Sequence, residues 1–272
     1  MDIKSLISFI KTQKSFLCVG LDPDINQMPP HLLSSNDPIF EFNKSIIDAS
    51  KNYSIAYKPN LAFYEKLGPS GLVSLKKTID YIPKSHFIIL DAKRSDVFNS
   101  AKMYAESFYN HYGCDAVTLS PYMGKDAIDP FIRKEKWMIL LLTTSNPSAG
   151  EIQNIKSIND IPIYLEFLKV IKTWGSYENT MFVVGATKLN EMKIIRKEVP
   201  SHFFLVPGIG KQGGSLQKVC EFGLNSNCGL IINSSRDIIY ASSNKNFVQY
   251  VSEKCINIQI EMENILKDNN II

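Results

Sequence analysis

The segment FIILDAKRSDV, residues 87–97, carries an apolar run directly into a group of charged side chains. In an extended strand, residues two apart share a face, so Asp91 and Lys93 are predicted to point the same way and Arg94 elsewhere. Buried charges are costly unless they are paired, so such a pair at a strand end needs either solvent or a functional purpose. A solvated salt bridge is the alternative for an isolated pair.

A second basic strand end, YKPN at residues 57–60, favours the functional interpretation. Lys58 and Asn60 also share a face. If both strands end at one mouth, two lysines and at least one aspartate meet there and hold one another ionised. A lysine ammonium fixed between aspartates in a poorly hydrated pocket can stabilise a developing carbanion and then protonate it.

The glycine-rich segment PGIGKQGG, residues 207–214, is typical of a phosphate-binding loop. Its glycines let backbone N–H groups approach an anion and let the loop change shape over a ligand. NSSR, residues 233–236, supplies Ser234, Ser235 and Arg236, and an arginine can hold a phosphate through two hydrogen bonds. An ordinary glycine turn with a surface arginine is the alternative for either piece alone.

The elements that position these motifs alternate between short apolar runs and segments of helical spacing. The runs are predicted strands because continuous apolarity is typical of parallel strands buried on both faces. They span residues 16–21, 54–58, 87–90, 116–119, 137–142, 181–185, 203–206 and 230–233. The predicted helices span residues 71–81, 97–112, 125–133, 161–174, 188–198 and 216–222.

Eight such units in 272 residues predict an α/β fold, a single (β/α)8 TIM barrel over residues 1–272. A short N-terminal helix opens it, a helix over about 244–267 closes it, and residues 268–272 are expected to fray. Loops 145–160 and 209–215 stand out as inserts. Sites in this fold gather at the carboxyl ends of the strands, which is where the charged and glycine-rich motifs lie.

Composition narrows the class of protein. With 44% hydrophobic residues, 21% charged residues and a net charge of +3, the chain is typical of a globular protein without a nucleic acid polymer or a membrane as partner. The N-terminus lacks the features of a signal peptide, and five scattered cysteines suggest reduced thiols, so we expect a cytoplasmic protein. The four histidines lack metal-like spacing and are interpreted as structural. No motif supports nucleophilic hydrolysis or dinucleotide binding.

Taken together, the motifs resemble the orotidine 5′-monophosphate decarboxylase family. They are LDP at Asp22, YKPN at Lys58, LDAKRSDV at Asp91, TTSNPS at Thr143 and PGIGKQGG at Pro207, in the family's order along the chain. The resemblance implies a carbon-carbon lyase that needs no cofactor or metal and converts orotidine 5′-monophosphate to uridine 5′-monophosphate and CO2 in pyrimidine biosynthesis.

The resemblance also implies roles for individual residues. Lys93 would donate the proton to C6 of the pyrimidine, Asp91 would lie beside the departing carboxylate, and Lys58 would hold Asp91 and the ribose hydroxyls in place. Asp96 and Ser100 would reach the site of the neighbouring subunit of a homodimer.

The remaining implied contacts are with the nucleotide substrate. Asp22 and Asn60 would contact the ribose, Ser145 the amide edge of the pyrimidine, and Gln212 and Arg236 the phosphate. Further substrate contacts are implied for Thr144, Pro207, Gly213 and Ser235. Family members often carry Gly-Arg where this chain has Ser235 and Arg236.

Two other functions remain open from the sequence. A Mg2+-dependent sugar-phosphate decarboxylase or aldolase of the same superfamily shares the D-x-K-x-x-D pattern but needs further carboxylate ligands, for which Glu65 is the nearby candidate. A barrel that binds nucleotides without catalysis is the second alternative.

Overall fold

The computed structural model describes residues 1–209 and 214–272. Within these ranges, eight parallel strands close into a barrel in chain order, and β1 pairs with both β2 and β8. The strands are β1 Leu17–Leu21, β2 Ala56–Pro59, β3 Phe87–Arg94, β4 Ala116–Leu119, β5 Trp137–Thr143, β6 Thr180–Val184, β7 Phe203–Pro207 and β8 Leu230–Ser234. The predicted barrel is confirmed, and the predicted strand bounds hold within two residues except that β3 runs on to Arg94.

Helices connect the strands and cover the outside of the barrel. They are α1 Ile3–Gln13, α2 Pro38–Ser50, α3 Leu61–Glu65, α4 Gly68–Tyr81, α5 Phe98–Glu106, α6 Gly150–Gln153, α7 Ile163–Ile171, α8 Leu189–Glu198, α9 Leu216–Gly223, α10 Arg236–Ile239 and α11 Phe247–Asp268. In α1, Leu6 and Ile10 lie one turn apart and are fully buried. No helix within 1–209 or 214–272 is both long and apolar enough to span a bilayer.

The structure differs from the sequence-based expectations at three places. The predicted helix 125–133 is wrong, because two 3-10 turns, Lys125–Ala127 and Asp129–Phe131, take its place; Pro130 has no N–H and disfavours helical backbone in the residue before it. Helix α2, absent from the predictions, begins after Asp37, whose side chain accepts the Phe40 N–H.

The third correction concerns the C-terminus, which was expected to fray. The Ile271 N–H donates to the carbonyl of Leu266 at 2.9 Å. The Ile271 side chain is only 5% exposed and packs in the hydrophobic core. Burial of an apolar side chain therefore holds the terminus in place.

One buried arginine connects several backbone segments at the amino-terminal end of the barrel through hydrogen bonds. The guanidinium of Arg196 donates hydrogen bonds of 2.6–3.3 Å to five backbone carbonyls between the end of α8 and β7 and between the end of α9 and β8. These carbonyls belong to Val199, Pro200, His202, Gly223 and Gly229. It also lies 3.7 Å from the ring centroid of Phe204. The fork of N–H groups suits this role because several carbonyls can be satisfied from one side chain.

Because His202 lies beside this arginine, we expect the stability of the fold to decrease in acid. Burial, and then the charges of Arg196 and Lys172, lowers the pKa of His202 to about 4 from 6.5. Between these values the unfolded chain binds more protons than the folded chain, so stability falls as pH drops through that window. We expect the wild type to lose roughly 1 kcal/mol more than His202→Phe between pH 7 and pH 5, allowing for solvent screening. Urea unfolding at both pH values measures this, and equal losses would contradict it.

Candidate active site

A cavity of about 380 Å3 opens at the carboxyl ends of the strands. Its walls include ten of the residues predicted from the sequence, Asp22, Lys58, Asn60, Asp91, Lys93, Thr144, Ser145, Pro207, Ser235 and Arg236. Leu141, Val183 and Leu205 supply apolar walls. Gln212 and Gly213 lie outside the described residues. A cavity with apolar walls and several converging polar and charged side chains is typical of a small-molecule site.

A chain of ion pairs crosses this cavity. Lys58 Nζ donates to Asp91 Oδ2 at 2.7 Å, and Lys93 Nζ donates to Asp91 Oδ1 at 2.5 Å. The Lys58 and Asp91 side chains are almost entirely buried, whereas the Lys93 side chain is 50% exposed. The Lys93 ammonium is therefore the end of the chain that a ligand in the cavity can reach.

The pKa values of the buried pair reflect this pairing. Burial would raise the pKa of Asp91, but the charges of Lys58 and Lys93 together outweigh it and hold this pKa well below its usual 3.8. Burial would likewise lower the pKa of Lys58, but the charges of Asp91 and Asp22 raise it above its usual 10.5. Both groups are therefore ionised at neutral pH.

The backbone of β3 departs from a regular strand where it carries these side chains. Leu90 pairs with Val117, but the next pair is Arg94 with Leu119, so four steps along β3 match two along β4. Lys93 has a φ of +48°, in the left-handed region. The prediction that Asp91 and Lys93 point the same way holds, although a bulge rather than simple alternation brings them together.

Sequence reasoning missed Thr118, which lies on β4 beside this bulge and lines the cavity. Its hydroxyl donates to Asp91 Oδ1 and accepts the N–H groups of Ala92 and Lys93, each at 2.9 Å. The available signal was a single hydroxyl in the otherwise apolar run AVTL.

The side of the cavity between β1 and β8 is lined by Asp22, Asn233 and Ser235. Ser235 Oγ donates to Asp22 Oδ2 at 2.7 Å. Asp22 Oδ1 and Asn233 Oδ1 are buried without a hydrogen-bond partner among the described residues. A Cβ on Gly20 would lie 2.6 Å from the Ser235 Cβ, so this close approach requires glycine.

The segment after β5 is held by a glutamine of α6. Gln153 Oε1 accepts the Thr144 N–H at 3.1 Å, and Gln153 Nε2 donates to Thr144 Oγ1 at 2.8 Å. Thr144 Oγ1 in turn donates to Asn146 Oδ1 at 2.7 Å. These bonds fix the direction of the predicted pyrimidine-contact segment, including Ser145, at the cavity wall.

The base of the glycine-rich loop is closed. The Gly214 N–H donates to the Gly208 carbonyl at 3.2 Å, and Ile209 pairs with Gly214 as a β-bridge. Gly208 has a φ of +99°, which favours glycine. Gly208, Ile209 and Arg236 all line the cavity, so the loop begins at the same cavity as the arginine that the sequence predicted to bind phosphate.

Asp96 and Ser100 are the predicted residues that this chain does not bring to the cavity within the described ranges. Asp96 Oδ1 accepts the Val97 N–H at 2.7 Å. Val97 and Phe98, which follow it, are 58% and 51% exposed.

Glu65, the candidate metal ligand, accepts a hydrogen bond from Arg94 Nη2 at 2.6 Å. No cluster of three His, Cys, Asp or Glu side chains suited to a metal occurs in the described part of the chain.

Comparison with known proteins identifies the family of this chain. A model of the orotidine 5′-phosphate decarboxylase / HUMPS family matches residues 15–249. The chain is 49% identical over 270 residues to the orotidine 5′-phosphate decarboxylase of Phocaeicola vulgatus, covering 98% of this chain and 99% of that one. The solved structure of Leishmania donovani OMP decarboxylase is similar, with a TM-score of 0.80, 32% identity and coverage of 96% and 99%. Leishmania donovani UMP synthase matches with a TM-score of 0.82 and 34% identity over 95% of this chain, which spans 57% of that structure. The chain belongs to the orotidine 5′-phosphate decarboxylase / HUMPS family.

Proposed function

We propose that this protein is a cofactor-independent orotidine 5′-monophosphate decarboxylase, a cytoplasmic carbon-carbon lyase of pyrimidine biosynthesis with one barrel domain over residues 1–272. The observation that carries the proposal is the chain from Lys58 through Asp91 to Lys93, which ends in an ammonium facing the cavity. Relatives of nearly equal length at 49% identity bear the decarboxylase name.

The chemistry follows from the charge that must develop. Loss of CO2 from C6 of the pyrimidine leaves an electron pair in an sp2 orbital that no π-system can delocalise. The Lys93 ammonium would stabilise this carbanion electrostatically and then transfer a proton from Nζ to C6, which gives uridine 5′-monophosphate. Asp91 holds that ammonium in place, and Lys58 keeps Asp91 ionised.

The remaining cavity residues suit the rest of the nucleotide. Arg236 would bind the phosphate with Gln212, Gly213 and Pro207, and this remote binding energy would favour closure over the substrate. Asp22, Asn60 and Ser235 would contact the ribose side, where Asp22 Oδ1 is buried without a partner among the described residues. Thr144 and Ser145 would bind the pyrimidine edge.

The position of Asp96 supports a homodimer. In the described part of one chain, it does not line the cavity. Exposed apolar side chains, Val97, Phe98 and Met103, follow it in sequence. Such side chains suit an interface between subunits. The proposed dimer carries Asp96 and Ser100 into the neighbouring cavity, where Asp96 would become the second aspartate beside Lys93.

If each active site contains residues of both subunits, two inactive variants should restore activity when they are mixed. When Lys93→Ala and Asp96→Ala subunits exchange freely at equal amounts, half the dimers are mixed, and each mixed dimer has one site with both native residues. We expect about a quarter of wild-type activity in the mixture, while each variant alone is inactive. Activity no higher than that of the separate variants, after exchange is verified by mass, would argue against a shared site.

The test of the reaction is the loss of orotidine 5′-monophosphate absorbance on addition of the purified protein with excess chelator. Turnover that survives the chelator supports the proposal. Turnover only with Mg2+ would favour the metal-dependent sugar-phosphate enzymes of the superfamily, and tight nucleotide binding without turnover would favour a non-catalytic barrel.

A further inference from the structure

We infer that Thr118 is a positioning residue that holds Asp91 and the backbone of Lys93 in the geometry that the decarboxylation requires; this inference rests on the proposed function. The Thr118 side chain is 1% exposed. Its hydroxyl makes three hydrogen bonds, one donated to Asp91 Oδ1 and two accepted from the N–H groups of Ala92 and Lys93. One hydroxyl has one proton and two lone pairs, so its bonding capacity is fully used.

The two accepted bonds replace part of the sheet. Because β3 has two more residues than β4 between their paired positions, the N–H groups of the bulge cannot all meet carbonyls of β4. The Thr118 hydroxyl accepts two of them. It thereby supports the left-handed backbone of Lys93. This conformation is unfavourable for a residue with a Cβ and persists only where the surrounding structure enforces it.

The donated bond completes the environment of the carboxylate. Asp91 Oδ2 accepts from Lys58, and Oδ1 accepts from both Lys93 and Thr118. With both oxygens bound from three directions, the carboxylate cannot rotate about its χ2 without breaking a bond. Thr118 thus fixes both members of the Asp91–Lys93 pair, one through its carboxylate and the other through its backbone.

The test compares kcat in two variants of Thr118. Which variant loses more kcat distinguishes a positioning role from a packing role. Thr118→Val keeps the shape of the side chain and removes the hydroxyl, whereas Thr118→Ser keeps the hydroxyl and removes a methyl group. A positioning role predicts that Val lowers kcat by about 10- to 100-fold, as small misplacements of reacting groups do, and that Ser stays within about threefold of wild type. A packing role predicts the reverse order.

The effect on KM, compared with the effect on kcat, provides a second readout. Thr118 lies on β4, which is opposite β8 in the closed barrel, and the proposed phosphate residue Arg236 follows β8. We therefore expect KM to change less than about threefold in Thr118→Val. Thr180→Val is the matched control, because Thr180 is also 1% exposed and its hydroxyl bonds Asn179 at the other end of the barrel. It should leave kcat unchanged. Should Thr118→Val not fold, Thr118→Cys, with its weak donor and acceptor, replaces it and is expected to lose kcat similarly.

A crystal structure of Thr118→Val tests the inference without turnover. We expect the Lys93 φ to leave the left-handed region or the Lys93 Nζ to Asp91 Oδ1 distance to lengthen. An unchanged bulge, or wild-type kcat in Thr118→Val, would overturn the role of Thr118 and leave the proposed function intact. Absence of turnover in the wild type would instead count against the proposed function, and the crystallographic comparison would still decide the role of Thr118.

Discussion

Lys93→Ala is expected to lower kcat by at least about 10⁴-fold, because it removes both the electrostatic stabilisation of the carbanion and its proton donor. The Lys93 side chain is half exposed, so its loss leaves the buried part of the ion-pair chain and the fold in place. The measurement is loss of substrate absorbance under saturating substrate, with the folded state verified by thermal unfolding.

Two controls define what this result means. Lys125→Ala removes a lysine of similar exposure that pairs with Asp129 away from the cavity, and it should leave kcat unchanged. Gln212→Ala removes a proposed phosphate contact and should reduce kcat/KM far less than Lys93→Ala. Equal losses in kcat/KM for Gln212→Ala and Lys93→Ala would contradict the assignment of Lys93 as proton donor.

Asp91→Asn is expected to abolish turnover and also to destabilise the fold. The substitution keeps the shape of the side chain but removes the negative charge of the carboxylate that accepts the hydrogen bond of Lys58, a side chain that is 4% exposed. Breaking a buried ion pair by removing one partner costs about 3–5 kcal/mol. Urea unfolding of the wild type and the variant at pH 7 measures the difference.

A double variant shows whether the unpaired charge causes the loss. If it does, Asp91→Asn with Lys58→Met should be more stable than Asp91→Asn alone, because the buried cation is then replaced by an apolar side chain of similar length. A double variant less stable than the single one would contradict this account and indicate that the packing of Lys58 dominates.

The pH dependence of this contribution has a definite sign. Because the pKa of Asp91 lies below its usual 3.8 in the folded state, its contribution is present above 3.8 and is lost as pH falls through the folded value. Because the pKa of Lys58 lies above 10.5, its contribution is present below 10.5 and is lost as pH rises through the folded value. The stability that this ion pair gives the wild type should therefore be nearly constant from about pH 5 to pH 9.

The sequence was a good guide to the barrel because each strand is a continuous apolar run that the helices bury on the outside. It was a poorer guide where backbone geometry overrides pattern. The 125–133 segment has helical spacing, but Pro130 breaks it into 3-10 turns. The two final isoleucines follow a polar stretch, which predicted fraying, yet the Ile271 side chain is buried in the core.

Most of the site was also readable from the sequence, because charged residues at strand ends must meet at one mouth of a parallel barrel. Thr118 was not, because its importance depends on a bulge that no residue spacing reveals. Asp96 shows a different limit. The family resemblance, and not its spacing from Lys93, implies that it reaches the neighbouring subunit, and among the described residues of one chain its carboxylate accepts only the Val97 N–H.

The hydrogen bond from Ser235 to Asp22 joins two residues separated by 213 positions, at the seam where the last strand meets the first. During synthesis, Asp22 leaves the ribosome long before its partner exists. The ribose side of the cavity can therefore form only after nearly the whole polypeptide is available. Truncated chains that lack β8 should carry the Lys58, Asp91 and Lys93 side chains and still be unable to hold a nucleotide.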